Sequence, residues 1–263
     1  MSAVVGLGSA GAAMALPDAL AVPERLCHSD ECLSLPLRSF RRGGAQVVLE
    51  QTFGRGRGGG GSSTGAAVWE GSLLMSRLLE RGGAPGVEVG PSTRVLELGS
   101  GCGLGAVAAA KLGAGSVVAT DGNARVLALL QSNLERNGLG PPQVRTAQLQ
   151  WGLDVGPDRP REASDPGPPD LVLGADLTYY PGTVPALAAT LRDLDAPSIV
   201  LVHHVRQASD EAALAQLYLP GYDVHVLQLS DPDGSDENFQ AVPVADAATV
   251  PPGGFYALVM TKT

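Results

Sequence analysis

The stretch Arg94-Val95-Leu96-Glu97-Leu98-Gly99-Ser100-Gly101-Cys102-Gly103-Leu104-Gly105 constrains the fold more than any other in the chain. An apolar run enters a glycine-rich turn, and a small apolar segment follows with helical character. Glycine tolerates positive φ and carries no Cβ, so such a turn lets backbone approach a ligand closely. The helix it opens offers unpaired N–H groups beside that turn. Two carboxylates then discriminate among ligands. Asp121 ends the next apolar run, roughly 20 residues on, where an acidic side chain typically takes ribose hydroxyls. Glu97 precedes the first glycine and disfavours a second anionic group in the same crevice. A ligand with a ribose and a cationic end therefore fits better than a pyrophosphate, and S-adenosylmethionine (SAM) has that character.

The rival ligand is a dinucleotide. Its fingerprint, Gly-x-Gly-x-x-Gly/Ala, fails when started at Gly99, because the sixth position is Leu104. Started at Gly101 it reaches Ala106, an allowed variant, but leaves Glu97 unexplained. An ordinary strand-to-helix turn with no ligand is the plainest alternative.

Composition narrows the classes. The chain has 263 residues, 44% of them hydrophobic, which is enough for one large domain with extensions. The formal net charge of −9 argues against broad nucleic-acid binding and is compatible with a basic protein partner. Three cysteines supply no disulfide framework. Cys27, His28 and Cys32 sketch half a metal site without a second pair, so free thiols are expected and no metal. No run is long enough to span a bilayer. Residues 1–23 lack the basic n-region of a secretory signal and the arginines of a transit peptide. The expectation is a soluble cytoplasmic protein, with the nucleus as a further compartment, and a monomer.

Residues 1–36 are expected to be a disordered extension. A short β unit follows over 37–51, then a glycine-rich loop over 54–63. From Thr64 onward, 37–263 is expected to continue as a single domain. Leu73, Leu74, Leu78 and Leu79 share a helical face. After it, strands at 94–98, 116–120, 144–151, 170–175 and 198–205 alternate with helices at 104–112, 124–137, 183–194 and 208–217. Two further strands, 223–229 and 255–261, have no helix between them and are expected to pair antiparallel. Alternation of this kind predicts an α/β fold, doubly wound around a mostly parallel sheet. Ligands in such sheets bind beyond the carboxyl ends of the strands. That places Gly99, Ser100, Gly101, Asp121, Trp151, Ala175, Asp176 and Tyr179 together.

Trp151 suits the edge of an adenine pocket, and Ala175 leaves room for a methionine end. Asp176 and Tyr179 begin the turn after the fourth strand of that alternating set and suit an incoming amine.

These segments resemble methyltransferase family 16, within the class I, seven-strand, Rossmann-like SAM-dependent methyltransferases. The similarity rests on Gly65-Ala66-Ala67-Val68-Trp69-Glu70, the 95–105 turn, Thr120-Asp121, residues 133–138, Leu149-Gln150-Trp151-Gly152 and Leu173-Gly174-Ala175-Asp176-Leu177-Thr178-Tyr179. It covers roughly residues 45–230. The resemblance implies a sheet order 3-2-1-4-5-7-6 with strand seven antiparallel. It implies cofactor contacts from Trp69, Gly99, Ser100, Gly101, Asp121, Trp151 and Ala175, to which Glu97 is added from the residues themselves. It further implies Asp176 and Tyr179 at a target-amine channel. The implied activity is methyl transfer from SAM to a lysine of a protein substrate, with arginine as the alternative target. A small-molecule or nucleic-acid methyltransferase, or a non-catalytic SAM-binding scaffold, are the other readings. Nucleic acid is disfavoured because Asp176-Leu177-Thr178-Tyr179 lacks the prolines of exocyclic-amine enzymes. The chain carries Glu70 where the family commonly has Asp. The acidic loop at 231–254 is a candidate for attracting a basic substrate segment.

Overall fold

The computed structural model describes residues 32–33, 35–53, 64–153, 167–231, 238–244, 250 and 252–263. The glycine-rich segment 54–63 and most of the N-terminal extension lie outside the described residues.

A hairpin of β1 (Leu37–Arg42) and β2 (Ala45–Glu50) comes first. A 3-10 turn at Thr64–Ala66 leads to α1 (Glu70–Glu80). Then follow β3 (Arg94–Leu98), α2 (Leu104–Lys111), β4 (Ser116–Asp121), α3 (Ala124–Arg136), β5 (Val144–Gln148) and β6 (Leu171–Ala175). A 3-10 turn at Pro181–Thr183 opens α4 (Val184–Leu194), followed by β7 (Ser198–Val205) and α5 (Ala208–Ala215). The chain closes with β8 (Tyr222–Ser230), β9 (Gln240–Pro243) and β10 (Gly254–Lys262).

The sheet order is β5-β4-β3-β6-β7-β10-β8-β9. Strands β3 to β7 pair in parallel, and β10 runs antiparallel to both β7 and β8. This is the expected order with one correction: the sheet has eight strands, not seven. The extra strand, β9, lies in the segment read as a long loop and pairs antiparallel with β8. The strand expected over 144–151 ends at Gln148, after which Leu149 N–H bonds Asp121 O at 3.2 Å.

Period-two alternation divides the core. Val95, Val200, Val202, Ala257 and Val259 face the layer that contains Leu73, Leu74, Leu78 and Val107. Leu96, Ile199, Leu201, Leu258 and Met260 face Leu187, Leu191, Ala213 and Leu214. Continuous apolar strands covered on both faces are what parallel sheets require.

The hairpin is fixed by two amides of α3. Asn137 accepts from Val48 N–H at 2.9 Å and donates to Val48 O at 2.8 Å. Asn133, fully buried, accepts from Glu50 N–H at 2.7 Å and donates to Glu50 O at 3.1 Å. One helical turn apart, these two side chains meet alternate residues of β2. Asn133 also donates to Cys102 O in the glycine turn, at 3.0 Å. Gln51 N–H bonds Pro36 O at 2.9 Å, and its side chain donates to Cys32 O and Leu35 O.

Cys32 is disulfide-bonded, which corrects the free thiol expected there, whereas Cys102 is free and buried. Asp231 was expected to belong to an acidic surface loop. Instead it is buried in an ion pair with Arg77 of α1, because a buried guanidinium needs a partner. No helix among the described residues is long and apolar enough to cross a membrane.

Candidate functional site

A cavity of about 760 Å³ opens at the carboxyl ends of β3, β4 and β6, where the strand order reverses. Every residue proposed from the sequence lines it: Trp69, Glu97, Gly99, Ser100, Gly101, Asp121, Trp151, Ala175, Asp176 and Tyr179.

The glycine turn adopts the conformation its composition demands. Gly99, Gly101 and Gly103 have φ of 60°, 53° and 92°. Ser100 locks the turn to the neighbouring strand: its N–H bonds Thr120 O at 2.7 Å and its hydroxyl accepts from Thr120 N–H at 3.1 Å. Thr120 Oγ1 in turn donates to Glu97 O at 2.7 Å. The ends of β3 and β4 are therefore held in fixed relation.

The donors that would cradle a phosphate are engaged by the chain itself. Glu97 accepts from Ala106 N–H in the first turn of α2 at 2.9 Å. Asp121 accepts from Gly101 N–H at 3.3 Å and from Asn123 N–H at 2.9 Å. A pyrophosphate here would compete with two carboxylates for these groups. A phosphate-free ligand with a positive charge would complement them.

Asp176 is the third carboxylate. It sits at positive φ (52°) at the end of β6. Its oxygens accept from Gly71 N–H in α1 and from His204 N–H on β7, both at 3.0 Å. It therefore ties the start of α1 to the sheet as well as facing the cavity. Two glycines make room for these groups: a Cβ on Gly105 would lie 2.1 Å from Glu97 Oε1, and one on Gly71 would lie 2.5 Å from Asp176 Oδ2.

Burial raises the pKa of all three carboxyls, because each loses water; at Asp176 the Arg206 guanidinium opposes the rise without cancelling it. Glu97 is pushed up to about 7 by desolvation, which outweighs its hydrogen bonds. Burial also raises Asp121, against the opposing backbone N–H groups of Asn123, Gly101 and Gly122.

The aromatic residues frame the opening. The Trp69 indole donates to Thr64 O at 2.7 Å, and its ring meets Phe53 edge-on at 6.0 Å. The Tyr179 hydroxyl lies 3.0 Å from Thr64 Oγ1. Trp69 is the N-cap of α1 and Glu70 its first residue. Behind the Asp176–Tyr179 turn, Thr178 Oγ1 lies 3.0 Å from Nδ1 of buried His203, whose pKa burial pushes down to about 3. His203 is neutral at physiological pH.

Sequence reasoning missed Thr64 and Arg206, which line the cavity, and Gly71, which makes room for Asp176. Gly71 carried a usable signal, since glycine inside a helix is costly unless something approaches its backbone closely.

A family model described as lysine methyltransferase matches residues 57–218. The protein-lysine N-methyltransferase EFM3 of Chaetomium thermophilum is 38% identical over 136 residues, covering 50% of this chain and 39% of that protein. The protein N-lysine methyltransferase METTL21A of Mus musculus is 35% identical over 176 residues, covering 61% and 75%. The EEF1A lysine methyltransferase 3 of Xenopus tropicalis is 32% identical over 183 residues, covering 68% and 73%. The aligned region thus spans well under half of the first relative and about three quarters of the other two. Among solved structures, a protein assigned as a methyltransferase and complexed with SAH superimposes with a TM-score of 0.53. It is 15% identical, with 87% of this chain and 56% of that one covered, and it bears on the fold alone. This chain belongs to the lysine methyltransferase family, methyltransferase family 16 of the class I SAM-dependent enzymes.

Proposed function

We propose that this chain is a SAM-dependent N-methyltransferase acting on a lysine side chain of a protein. The observation that carries the proposal is the engagement of Gly101 N–H and Ala106 N–H by Asp121 and Glu97. This turns a phosphate-type turn into a receptor for a cationic nucleoside. The printed activities of the relatives support the same reading.

Asp121 would take the ribose hydroxyls, Trp151 the edge of the base, and Glu97 with Gly99 and Gly101 the amino-acid end. When bound, SAM supplies an electrophilic methyl on a sulfonium, which an amine lone pair displaces while the C–S electron pair returns to sulfur. The chain's task is then positioning and desolvation. A lysine ammonium has a pKa of ~10.4, so presenting it neutral at pH 7 costs about 4–5 kcal/mol. Asp176 orients the arriving ammonium through the lone pairs its backbone bonds leave over. Tyr179 holds the neutral amine in line, and the proton departs to solvent. Ala175 is small enough to leave the path between cofactor and amine open.

The test is transfer from methyl-labelled SAM into a cell lysate resolved on a gel. A discrete labelled protein band, with the label mapped to lysine, is expected. Label only in RNA or small molecules would overturn the proposal, and no label at all would favour a scaffold.

A further inference from the structure

Among the described residues, the cavity mouth holds one cation that the proposed reaction does not use. Of the described residues lining the cavity, Glu97, Asp121 and Asp176 are acidic and only Arg206 is basic. Arg206 follows β7 and precedes α5. Its backbone is fixed, since its N–H and that of Gln207 both donate to Asp210 Oδ2, at 2.8 and 3.1 Å. Its side chain is exposed, and among the described residues its guanidinium makes no hydrogen bond or ion pair. Arg206 lies close enough to Asp176 to oppose the rise that burial gives that carboxyl, while the two carboxylate oxygens accept from Gly71 N–H and His204 N–H. Arg206 therefore acts on that carboxylate through space without hydrogen-bonding it, which leaves its N–H donors open to a further acceptor.

Tyr179 lines the same cavity, and Tyr180 follows it in the chain. Tyr179 and Tyr180 are 61% and 64% exposed, unusual for residues of their size in a chain with only five tyrosines. An exposed tyrosine and an exposed arginine lining one cavity have the composition of a binding hot spot.

Resting on the lysine-methylation reading above, we propose that Arg206 is a specificity-determining residue that binds an acidic side chain of the protein substrate next to the target lysine. Tyr179 and Tyr180 cover the apolar stem of that segment. A guanidinium at this point repels lysines flanked by further basic residues, so it selects by exclusion as well as by attraction. It also suits the protein as a whole. With a net charge of −9 the surface attracts basic segments indiscriminately, and a positive charge at the mouth restores selection where the lysine enters. Arginine matches a carboxylate bidentately, so the contact also fixes register.

The experiment starts from the protein labelled in the lysate and its mapped lysine. That protein, purified, is assayed with wild type, Arg206→Ala and Arg206→Glu, with melting curves to confirm folding. Arg206→Glu is expected to raise KM for the substrate at least about tenfold, in line with a charged hydrogen-bonded pair. The rise in KM should exceed any fall in kcat, and SAH affinity should stay within about threefold. Replacing the acidic residue nearest the target with Lys should impair wild type and restore Arg206→Glu. An unchanged KM, a loss confined to kcat, no rescue, or a target lysine with no acidic neighbour would each overturn the assignment. Failure of the methylation reading is read earlier and separately, as the absence of any labelled protein with wild type.

Discussion

Glu97→Gln is expected to stabilise the ligand-free protein above neutral pH while weakening its hold on SAM. In the folded chain the carboxyl titrates at about 7, against an ordinary 4.5. The folded state therefore binds this proton more tightly than the unfolded state. Stability falls as pH rises from about 4.5 to about 7, and is flat on either side for this group. At 1.36 kcal/mol per pKa unit, ionised Glu97 costs the fold about 3 kcal/mol above pH 7. Glutamine removes that cost and keeps an oxygen to accept Ala106 N–H. Its amide N–H₂ adds an unmade bond beside Gly105, worth about 1 kcal/mol. The net gain is about 2 kcal/mol at pH 8, or roughly 4–8 °C in Tm. Calorimetric melts of both ligand-free proteins from pH 5 to 8.5 measure it directly. The difference in Tm should grow with pH and vanish toward pH 5. By titration calorimetry at pH 8, SAM should bind the variant at least about tenfold more weakly, since a charged partner is lost. A Tm difference independent of pH would refute the reasoning, because it would mean that Glu97 carries no displaced proton.

Asp121→Ala should weaken SAH binding at least about tenfold by calorimetry, whereas Asp176→Ala should keep SAH affinity within about threefold and lose turnover. Equal losses of affinity in both would overturn that division. Asp176→Ala should also lower Tm, because Gly71 N–H and His204 N–H lose their acceptor. Gly105→Ala should destabilise by about 2 kcal/mol or more, since its Cβ would meet Glu97 Oε1 at 2.1 Å; an unchanged melt would show that the carboxylate yields freely. Asn133→Ala should cost about 2–4 kcal/mol by denaturant unfolding, because Glu50 N–H, Glu50 O and Cys102 O all lose a partner.

The parallel half of the sheet was legible because buried strands are apolar throughout and each is followed by a helical period. The β3 turn and Asp121 were legible because glycine spacing and a strand-end carboxylate are local signals. The position of β10 between β7 and β8 came from resemblance, not from pattern. β9 went unread: Gln240–Pro243 is mostly exposed, so no alternation marks it, and it exists only by pairing with β8. The burial of Arg77 and Asp231 was equally invisible, since neither residue's neighbours in sequence reveal that the two meet. Asp176 was placed correctly at the cavity, yet its bonds to Gly71 and His204 depend on elements far apart in the chain. Local pattern identifies which residues face a site; it does not show which of them also hold the walls together.

The triple engagement of Asn133 has a practical corollary for anyone trimming this protein. Its amide serves β2 and the carbonyl of Cys102 at once. Deleting the hairpin would strip the asparagine of its strand contacts and loosen the loop that receives the nucleoside. A shortened version beginning at Thr64 would retain every described residue that lines the cavity and still be expected to grip its ligand poorly.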